Sequence, residues 1–303
     1  METLLQQIIN GLSLGSVYAL IAVGYSLVYS ILLFSNFAHG GFLVIGGYVC
    51  YFFLGGYFLS NFFEGGVGTN IWVAAAAALV GAGLSAVIVE KLAYKPIRER
   101  TPVTLYMLIA SMGMNIVIEN IFVVTIGGRY RALPSVIPMK PVSVLGVATT
   151  SQFDLLALAT AVVFLVGLQI FLSRTKWGLA IRAASYNLRT AGLMGVNVNR
   201  LISLVFFVAG MLAAIGGIFL SARYTLYPQL GAITTKAFVA AVIGGLGSLP
   251  GAVAGSLILG LAEMLATGFV SSQFRDLIVF VLLIVTLIVR PAGLFGKSVG
   301  EKV

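Results

Sequence analysis

The chain has 303 residues, of which 60% are hydrophobic and only 9% are charged, and its mean hydropathy is +1.08. Typical soluble domains carry about 25% charged residues, so a water-soluble fold is excluded and an integral membrane protein is indicated. One cysteine and one histidine exclude an intramolecular disulfide and leave too few ligands for a Cys/His zinc site. The net charge of +9 arises from basic residues in short loops between apolar runs, so nucleic-acid binding is not expected.

Apolar runs of membrane-crossing length follow one another along the chain. About 20 such residues are needed to cross a hydrocarbon core of about 30 Å. The runs cover residues 9–34, 37–60, 70–93, 104–126, 152–172, 201–220, 233–247, 250–268 and 277–290. We therefore predict an all-α, polytopic helix bundle with eight or nine membrane segments over residues 1–303. The seventh run is short and glycine-rich, so a re-entrant or half-crossing piece is an alternative to a full crossing there.

Lysine and arginine are concentrated in three loops that alternating crossings place on one face. These loops hold Lys91, Lys95, Arg98, Arg100, Arg174, Lys176, Arg182, Arg189, Arg200, Arg290, Lys297 and Lys302. The opposite loops hold Arg129, Arg131, Lys140, Arg223, Lys236 and Arg275. The positive-inside rule makes the first face cytoplasmic, and the C-terminus is expected on that side.

Glycine is abundant, with 36 residues, many of them inside the apolar runs. Small residues such as Gly46 and Gly83 let helices approach closely in lipid, so tight packing is the general expectation. One glycine-rich place also carries polar residues and is expected to break the helix: Asn36 and His39 are followed by Gly40 and Gly41. This segment either lines a passage or forms a simple cytoplasmic turn.

A second break is expected between the seventh and eighth runs. It is indicated by Gly244 and Gly245, followed by Pro250 and Gly251. Glycine and proline together interrupt a helix, so the chain is expected to bend or re-enter at this point.

Carboxylates inside the apolar runs are candidate functional residues, because a charge at membrane depth costs at least about 2.5–3.5 kcal/mol on insertion scales. Glu119 lies within the fourth run, four residues after Asn115 and so on the same helix face. Glu263 lies within the eighth run. Each carboxylate either serves transport or bonds to a helix end, a hydroxyl group or an arginine of another segment.

No set of enzymatic residues is present in the sequence. Gly296-Lys297-Ser298 ends like a phosphate-binding loop, but Pro291 stands where that motif needs its first glycine. The single histidine has no nearby carboxylate in the sequence, which argues against a Ser/His/Asp triad. We therefore expect neither catalysis nor ATP hydrolysis by this chain.

The longest polar connection on the cytoplasmic face covers residues 173–200. Residues 178–191 contain good helix formers and no proline, which predicts a helix. Ala180, Ala183, Ala184 and Leu188 form a stripe of mostly small residues on it. Such a helix either docks into a groove of a soluble partner or lies at the membrane surface as an ordinary amphipathic helix.

Several motifs resemble one transporter family. Residues 9–25 (INGLSLGSVYALIAVGY) and the following Asn36-Phe37-Ala38-His39-Gly40 closely resemble the LivH-type permease subunits of branched-chain amino acid ABC importers. The cytoplasmic stretch from Arg182 to Gly195, residues 241–251 and residues 290–296 are similar to the same family. The similarity runs over essentially the full chain, with the motifs in the same order.

The resemblance implies one transmembrane permease domain over residues 1–303 in a bacterial inner membrane. It implies four kinds of partner: a second homologous permease subunit, two ATP-binding subunits, a periplasmic substrate-binding protein and the lipid bilayer. ATP and Mg²⁺ would bind to the ATP-binding subunits, so no cofactor or metal is expected in this chain. The coupling segment of the family falls on residues 178–195, and the expected coupling residues are Arg182, Ala183, Ala184, Ser185, Asn187, Ala191, Gly192 and Gly195.

A permissive path lined by Asn36, His39, Asn115 and Glu119 would suffice for such a subunit, because the binding protein supplies most of the selectivity. The substrate would be a branched-chain or other amino acid, although relatives also serve urea and short amides. The alternative is an autonomous secondary carrier or channel for small polar solutes such as urea or amides, which would work without ATP and without a docking partner.

Overall fold

The computed structural model describes residues 2–55, 70–101, 103–133, 141–144 and 148–296, which are almost entirely helical. The α-helices are α1 (Glu2–Leu32), α2 (His39–Leu54), α3 (Ile71–Val89), α4 (Lys95–Arg100), α5 (Thr104–Ile126), α6 (Gln152–Arg174), α7 (Lys176–Tyr186), α8 (Leu188–Leu193), α9 (Val198–Tyr224), α10 (Thr234–Gly244), α11 (Leu249–Phe269) and α12 (Arg275–Val289). A π-helical turn (Glu90–Tyr94) joins α3 to α4, and 3-10 turns (Pro228–Ile233 and Ser272–Phe274) precede α10 and α12.

Seven helical stretches of the described chain are long and apolar enough to cross a membrane. The predicted polytopic helix bundle is therefore confirmed. Two further runs correspond to shorter helices, α2 with 16 residues and α10 with 11. At 1.5 Å per residue, α10 reaches only about 16 Å, about half of a hydrocarbon core, which agrees with a half-crossing piece. Residues 56–60 of the second run, Lys140, Lys297 and Lys302 lie outside the described residues.

The chain divides into two compact units. The first unit comprises residues 1–30, 137–168 and 235–303, and the second comprises residues 31–136 and 169–234. Both units are therefore assembled from separate stretches of sequence. The expectation of one permease domain over residues 1–303 stays a prediction.

Close helix packing through glycine forms the core of the second unit, where α2, α3 and α9 contact one another. A Cβ atom at Gly46 in α2 would lie 2.5 Å from the Cα atom of Ala214 in α9. A Cβ atom at Gly83 in α3 would lie 2.7 Å from the ring of Phe207 in α9. Real Cβ atoms do not approach backbone or ring atoms so closely, so the expected packing role of these glycines is confirmed.

Close packing through glycine also joins α1 and α11 in the first unit. A Cβ atom at Gly260 would lie 2.5 Å from the Cα atom of Gly15, and one at Gly11 would lie 2.8 Å from the Cα atom of Leu261. The two helices therefore pack backbone to backbone along this line.

The interruption between α10 and α11 also lies in the first unit. Gly244 ends α10, and Gly245 has a φ of +108°, a value that favours glycine. The Ser248 hydroxyl accepts a hydrogen bond from Gly251 N at 3.2 Å and so caps α11. Pro250 and Gly251 therefore lie in the first turn of α11 and not in the break itself, which corrects their predicted position. A Cβ atom at Gly244 would overlap the carbonyl group of Gly251, so the two ends of the break approach as closely as backbones allow.

A two-stranded antiparallel pair, β1 (Pro141–Val144) and β2 (Ala148–Ser151), was not expected from the sequence. Val142 lies opposite Thr150 in this pair. In the second unit, Arg131 and Leu226 form an isolated β-bridge, in which each backbone N donates to the other carbonyl at 2.8 Å. Such short pairings carry too little hydrophobic periodicity to be recognised in the sequence.

Candidate functional site

The connection between α1 and α2, residues 33–38, is non-helical, and side chains satisfy part of its backbone. Phe37 N donates to Ser111 Oγ at 3.1 Å, and Ala38 N donates to Asn36 Oδ1 at 3.2 Å. Leu33 adopts a φ of +54°, which is unusual for a residue with a branched side chain. Side chains of the protein therefore stabilise the break, as expected for irregular backbone between membrane helices.

Asn36 is buried, and the π-helical turn of the neighbouring segment holds it. The Tyr94 hydroxyl donates to Asn36 Oδ1 at 2.7 Å, while Asn36 Nδ2 has no hydrogen-bond partner within the described residues. A π turn shifts the register of side chains along a helix, and such turns are frequent at functional sites. Tyr94 and Ser111 are site residues that sequence reasoning missed, because no periodic pattern marks a π turn or a contact between distant segments.

His39 begins α2 and is buried, with its ring edge-on to Phe42 at a centroid distance of 6.4 Å. Gly40 and Gly41 lie in the first turn of α2 rather than in the break, which corrects the expectation that they interrupt the helix. A Cβ atom at Gly40 would lie 2.8 Å from the carbonyl oxygen of Gly231, and one at Gly41 would lie 2.7 Å from Ile118. These glycines therefore allow α2 to approach the 3-10 turn and α5.

One face of α5 carries Ser111, Asn115 and Glu119, each four residues after the last. Asn115 Nδ2 donates to Glu119 Oε1 at 2.7 Å. A Cβ atom at Gly40 would lie 3.2 Å from Asn115 Oδ1, so this face of α5 adjoins the start of α2. The break that contains Asn36 and the first turn of α2, where His39 lies, thus adjoin the face of α5 that carries Asn115. Glu119 lies one helical turn further along α5.

The acidic residues of the apolar helices differ in their partners. Glu90 is 1% exposed and accepts from Ser203 Oγ at 2.8 Å and Arg98 Nη1 at 3.5 Å. Glu119 is half-buried, and within the described residues no cation lies within 4.0 Å of it. Residues 2–296, with the gaps given above, contain no group of three His, Cys, Asp or Glu side chains that could hold a metal ion.

Glu263 in α11 is 0% exposed and lies between two cations of the first unit. Its Oε1 atom is 2.6 Å from Lys236 Nζ in α10 and 3.1 Å from Arg275 Nε at the start of α12. Lys236 Nζ also lies 2.5 Å from Asp276 Oδ1. This network ties three helices together, in agreement with the alternative that Glu263 bonds to basic residues of other segments.

The polar connection over residues 173–200 contains two short helices instead of one helix over residues 178–191. α7 ends at Tyr186, Asn187 is extended (φ −157°), and α8 follows. Asn187 Oδ1 accepts from Thr190 N at 3.0 Å and so caps α8. Asparagine is a favoured capping residue, and its capping bond overrides the good helix propensity of the residues around it.

Only part of the predicted coupling surface is accessible in the second unit. Ala184 (2% exposed) and Ala191 (4% exposed) face inward, and Gly192 is half-buried. The remaining predicted coupling residues are exposed: Arg182, Ala183, Ser185, Asn187 and Gly195. Four large apolar side chains that the sequence prediction did not include are exposed as well: Leu179, Tyr186, Leu193 and Met194.

A polar network connects this segment to the π turn. Arg98 Nη2 donates to Asn199 Oδ1 at 2.8 Å at the beginning of α9, while Nη1 of the same guanidinium contacts Glu90. Sequence reasoning assigned Lys91 to Arg100 to a loop, but the structure extends the helix through the π turn to Arg100. The basic residues are therefore presented from a helix that continues beyond the apolar run.

Comparison with known proteins gives a consistent result. The sequence profile of a family described as "Branched-chain amino acid transport system / permease component" matches residues 7–287. The high-affinity branched-chain amino acid transport system permease protein LivH of Salmonella typhimurium is 38% identical over 99% of this chain and 97% of its own length. The corresponding protein BraD of Pseudomonas aeruginosa is 36% identical over 99% of this chain and 98% of its own length. Among solved structures, PsaBC from Streptococcus pneumoniae in complex with Fab covers 96% of this chain and 93% of the matched chain with a TM-score of 0.49 and 13% identity, a similarity too low to carry an inference.

Proposed function

Since this chain belongs to the family of permease components of branched-chain amino acid transport systems, we propose that it forms the membrane path of an ATP-driven importer for these amino acids. The observation that carries the proposal is the full-length similarity to transport permeases, which covers the breaks and the cytoplasmic segment as well as the apolar helices. A multi-pass membrane protein of this family acts as a transport subunit, and we assign it no enzymatic activity of its own.

The complex that we propose contains three kinds of protein besides this chain. A second, homologous permease subunit completes the path, two cytoplasmic ATP-binding subunits bind ATP and Mg²⁺, and a periplasmic protein delivers the amino acid. The membrane is the bacterial inner membrane. The excess of Lys and Arg on one set of connections, among them Arg98 and Arg182, supports a cytoplasmic position for that face and for the C-terminus.

The amino acid passes through a path that includes Asn36, His39, Asn115 and Glu119. Buried polar groups in an apolar bundle are costly unless they serve a cavity, a partner or a substrate. The unsatisfied Asn36 Nδ2 and Asn115 Oδ1 atoms support this assignment, because a passing polar solute would supply their hydrogen bonds.

Coupling to the ATP-binding subunits uses the exposed side of α7 and α8. Large apolar side chains exposed in a polar cytoplasmic segment favour a protein contact, and Leu193 is 82% exposed. ATP binding would draw the two ATP-binding subunits together, move this segment and shift the bundle from inward-facing to outward-facing. Hydrolysis would then reset the cycle.

Replacing Leu193 with glutamate is expected to lower ATP-driven leucine uptake at least about tenfold, because it replaces the most exposed large apolar side chain of α7 and α8 with a charge. The measurement is uptake by the reconstituted complex, with its binding protein, in proteoliposomes. Ser173→Glu serves as the control, since Ser173 is exposed at the end of α6, and it should retain uptake. Wild-type uptake by the Leu193 variant would contradict the docking role, and wild-type uptake that needs no ATP would contradict the proposed function itself.

A further inference from the structure

We infer that Glu119 and Asn115 bind the ammonium group of the amino acid on its way through the membrane, an inference that rests on the function proposed above. These two side chains would recognise a group that is cationic and donates hydrogen bonds. Glu119 lies deep in α5, no cation of the described residues is within 4.0 Å of it, and Asn115 Oδ1 has no hydrogen-bond partner among those residues.

Glu119 is placed well inside an apolar helix. It lies about 22 Å along α5 from Thr104 and about 10 Å before Ile126, at 1.5 Å per residue. Apart from Asn120, the residues around it in the sequence, such as Val117, Ile118 and Ile121, are apolar. A carboxylate at such a depth normally marks a substrate or ion pathway when it is not part of an ion pair.

No residue of the described chain neutralises Glu119. The two fully buried glutamates each have a cation nearby, Arg98 for Glu90 and Lys236 for Glu263. Across the described ranges, the only hydrogen bond of the Glu119 carboxylate comes from Asn115 Nδ2, to Oε1. Oε2 therefore remains available as an acceptor for a charged donor.

Asn115 supplies a second acceptor. The carboxylate of Glu119 fixes its amide orientation, because Nδ2 must point to Oε1 and an oxygen there would be repelled. Asn115 Oδ1 is consequently turned away from Glu119, and this buried atom has no hydrogen-bond partner within the described residues. Gly40 leaves space beside it, since a Cβ atom there would come within 3.2 Å of Oδ1.

An ammonium group matches these two acceptors. It carries a positive charge and three N–H donors but no acceptor, so it can bond to both a carboxylate oxygen and an amide oxygen. A carboxylate or a neutral carbonyl of the solute would instead meet acceptors with no donor to offer. Urea and amides have N–H donors without the charge and would gain less from Glu119.

The test compares Glu119→Gln with wild type in the complete reconstituted complex. Glutamine keeps the length of the side chain and an oxygen that can accept from Asn115 Nδ2, but it removes the charge. We expect leucine uptake to fall at least about tenfold, because hydrogen bonds between charged groups are among the strongest in proteins. ATPase activity stimulated by the loaded binding protein is expected to stay within about twofold of wild type, since the coupling segment is untouched. Asn120→Ala, an exposed position on the same helix, is the control and should behave as wild type in both assays.

A competition assay tests the ammonium group directly. Binding of labelled leucine to the complex in nanodiscs, without the binding protein, should be displaced by leucinamide, which keeps the ammonium group. Isocaproate, which lacks it, should not compete. Glu119→Gln should abolish this preference.

The outcomes separate the inference from the function on which it rests. Wild-type uptake and unchanged competition in Glu119→Gln would overturn the inference while leaving the importer intact. Loss of the partner permease from the purified variant would also overturn it, because Glu119 would then serve assembly of the complex and not recognition of the amino acid. If the wild-type complex does not transport leucine at all, the proposed function fails instead.

Discussion

Replacing Glu263 with alanine is expected to destabilise the folded protein by about 3–5 kcal/mol, the usual cost of removing one partner from a buried ion pair. Glu263 is 0% exposed and contacts both Lys236 and Arg275. Without the carboxylate, Lys236 and Arg275 lose the buried negative charge that lies between them, while Lys236 keeps its contact with Asp276. Thermal unfolding of the detergent-solubilised protein, followed by loss of the monodisperse fraction, measures the effect.

The matched control for this prediction is Glu99→Ala. Glu99 lies 3.9 Å from Lys95 in an exposed pair four residues apart, and such pairs contribute about 0.3–0.5 kcal/mol. The control should therefore unfold close to the wild-type temperature. Equal unfolding temperatures for the two variants would refute the view that the Glu263 network holds α10, α11 and α12 together.

Replacing Gly46 with leucine is expected to prevent folding or to lower stability by about 3 kcal/mol or more, at or above the upper end of the usual cost of overpacking. The first side-chain atom would lie 2.5 Å from the backbone of Ala214, so α2 and α9 must move apart. Backbone cannot give way as a flexible side chain can, and the loss extends along the whole contact between the helices. The amount of protein in the membrane and its unfolding temperature in detergent are the measurements.

Gly113→Leu provides the comparison for Gly46. Gly113 lies in α5, and a Cβ atom there would meet nothing within 4 Å. The substitution should change stability by no more than about 0.5 kcal/mol, as expected at an open position. If Gly46→Leu were as abundant and as stable as Gly113→Leu, close glycine packing could not be what holds α2 against α9.

The membrane helices could be predicted from the sequence because a single physical requirement fixes them. A segment in lipid must satisfy its own backbone, so long apolar runs become helices whatever surrounds them. The packing role of Gly46 and Gly83 followed from the same reasoning, since small residues offer the closest approach in a medium without hydrophobic attraction.

The remaining features depend on contacts between distant segments, which cannot be predicted from one sequence. Three features result from packing between segments that are distant in the chain. They are the contact of Tyr94 with Asn36, the burial of Ala184 and the position of the cations beside Glu263. The break at Asn187 is marked in the sequence by a favoured capping residue. It was not predicted, because the residues on both sides of Asn187 have good helix propensity. Polar residues inside apolar runs could therefore be identified from the sequence, while their partners could not.

The most direct test of the central claim is gentle purification of this chain from its native membrane, followed by mass spectrometry of the proteins that remain bound. A permease subunit of an ATP-driven importer should be recovered with a second hydrophobic subunit and with ATP-binding proteins, two copies of which associate with each permease pair. Recovery of this chain alone, intact and active in uptake without ATP, would contradict the account and identify an autonomous carrier or channel.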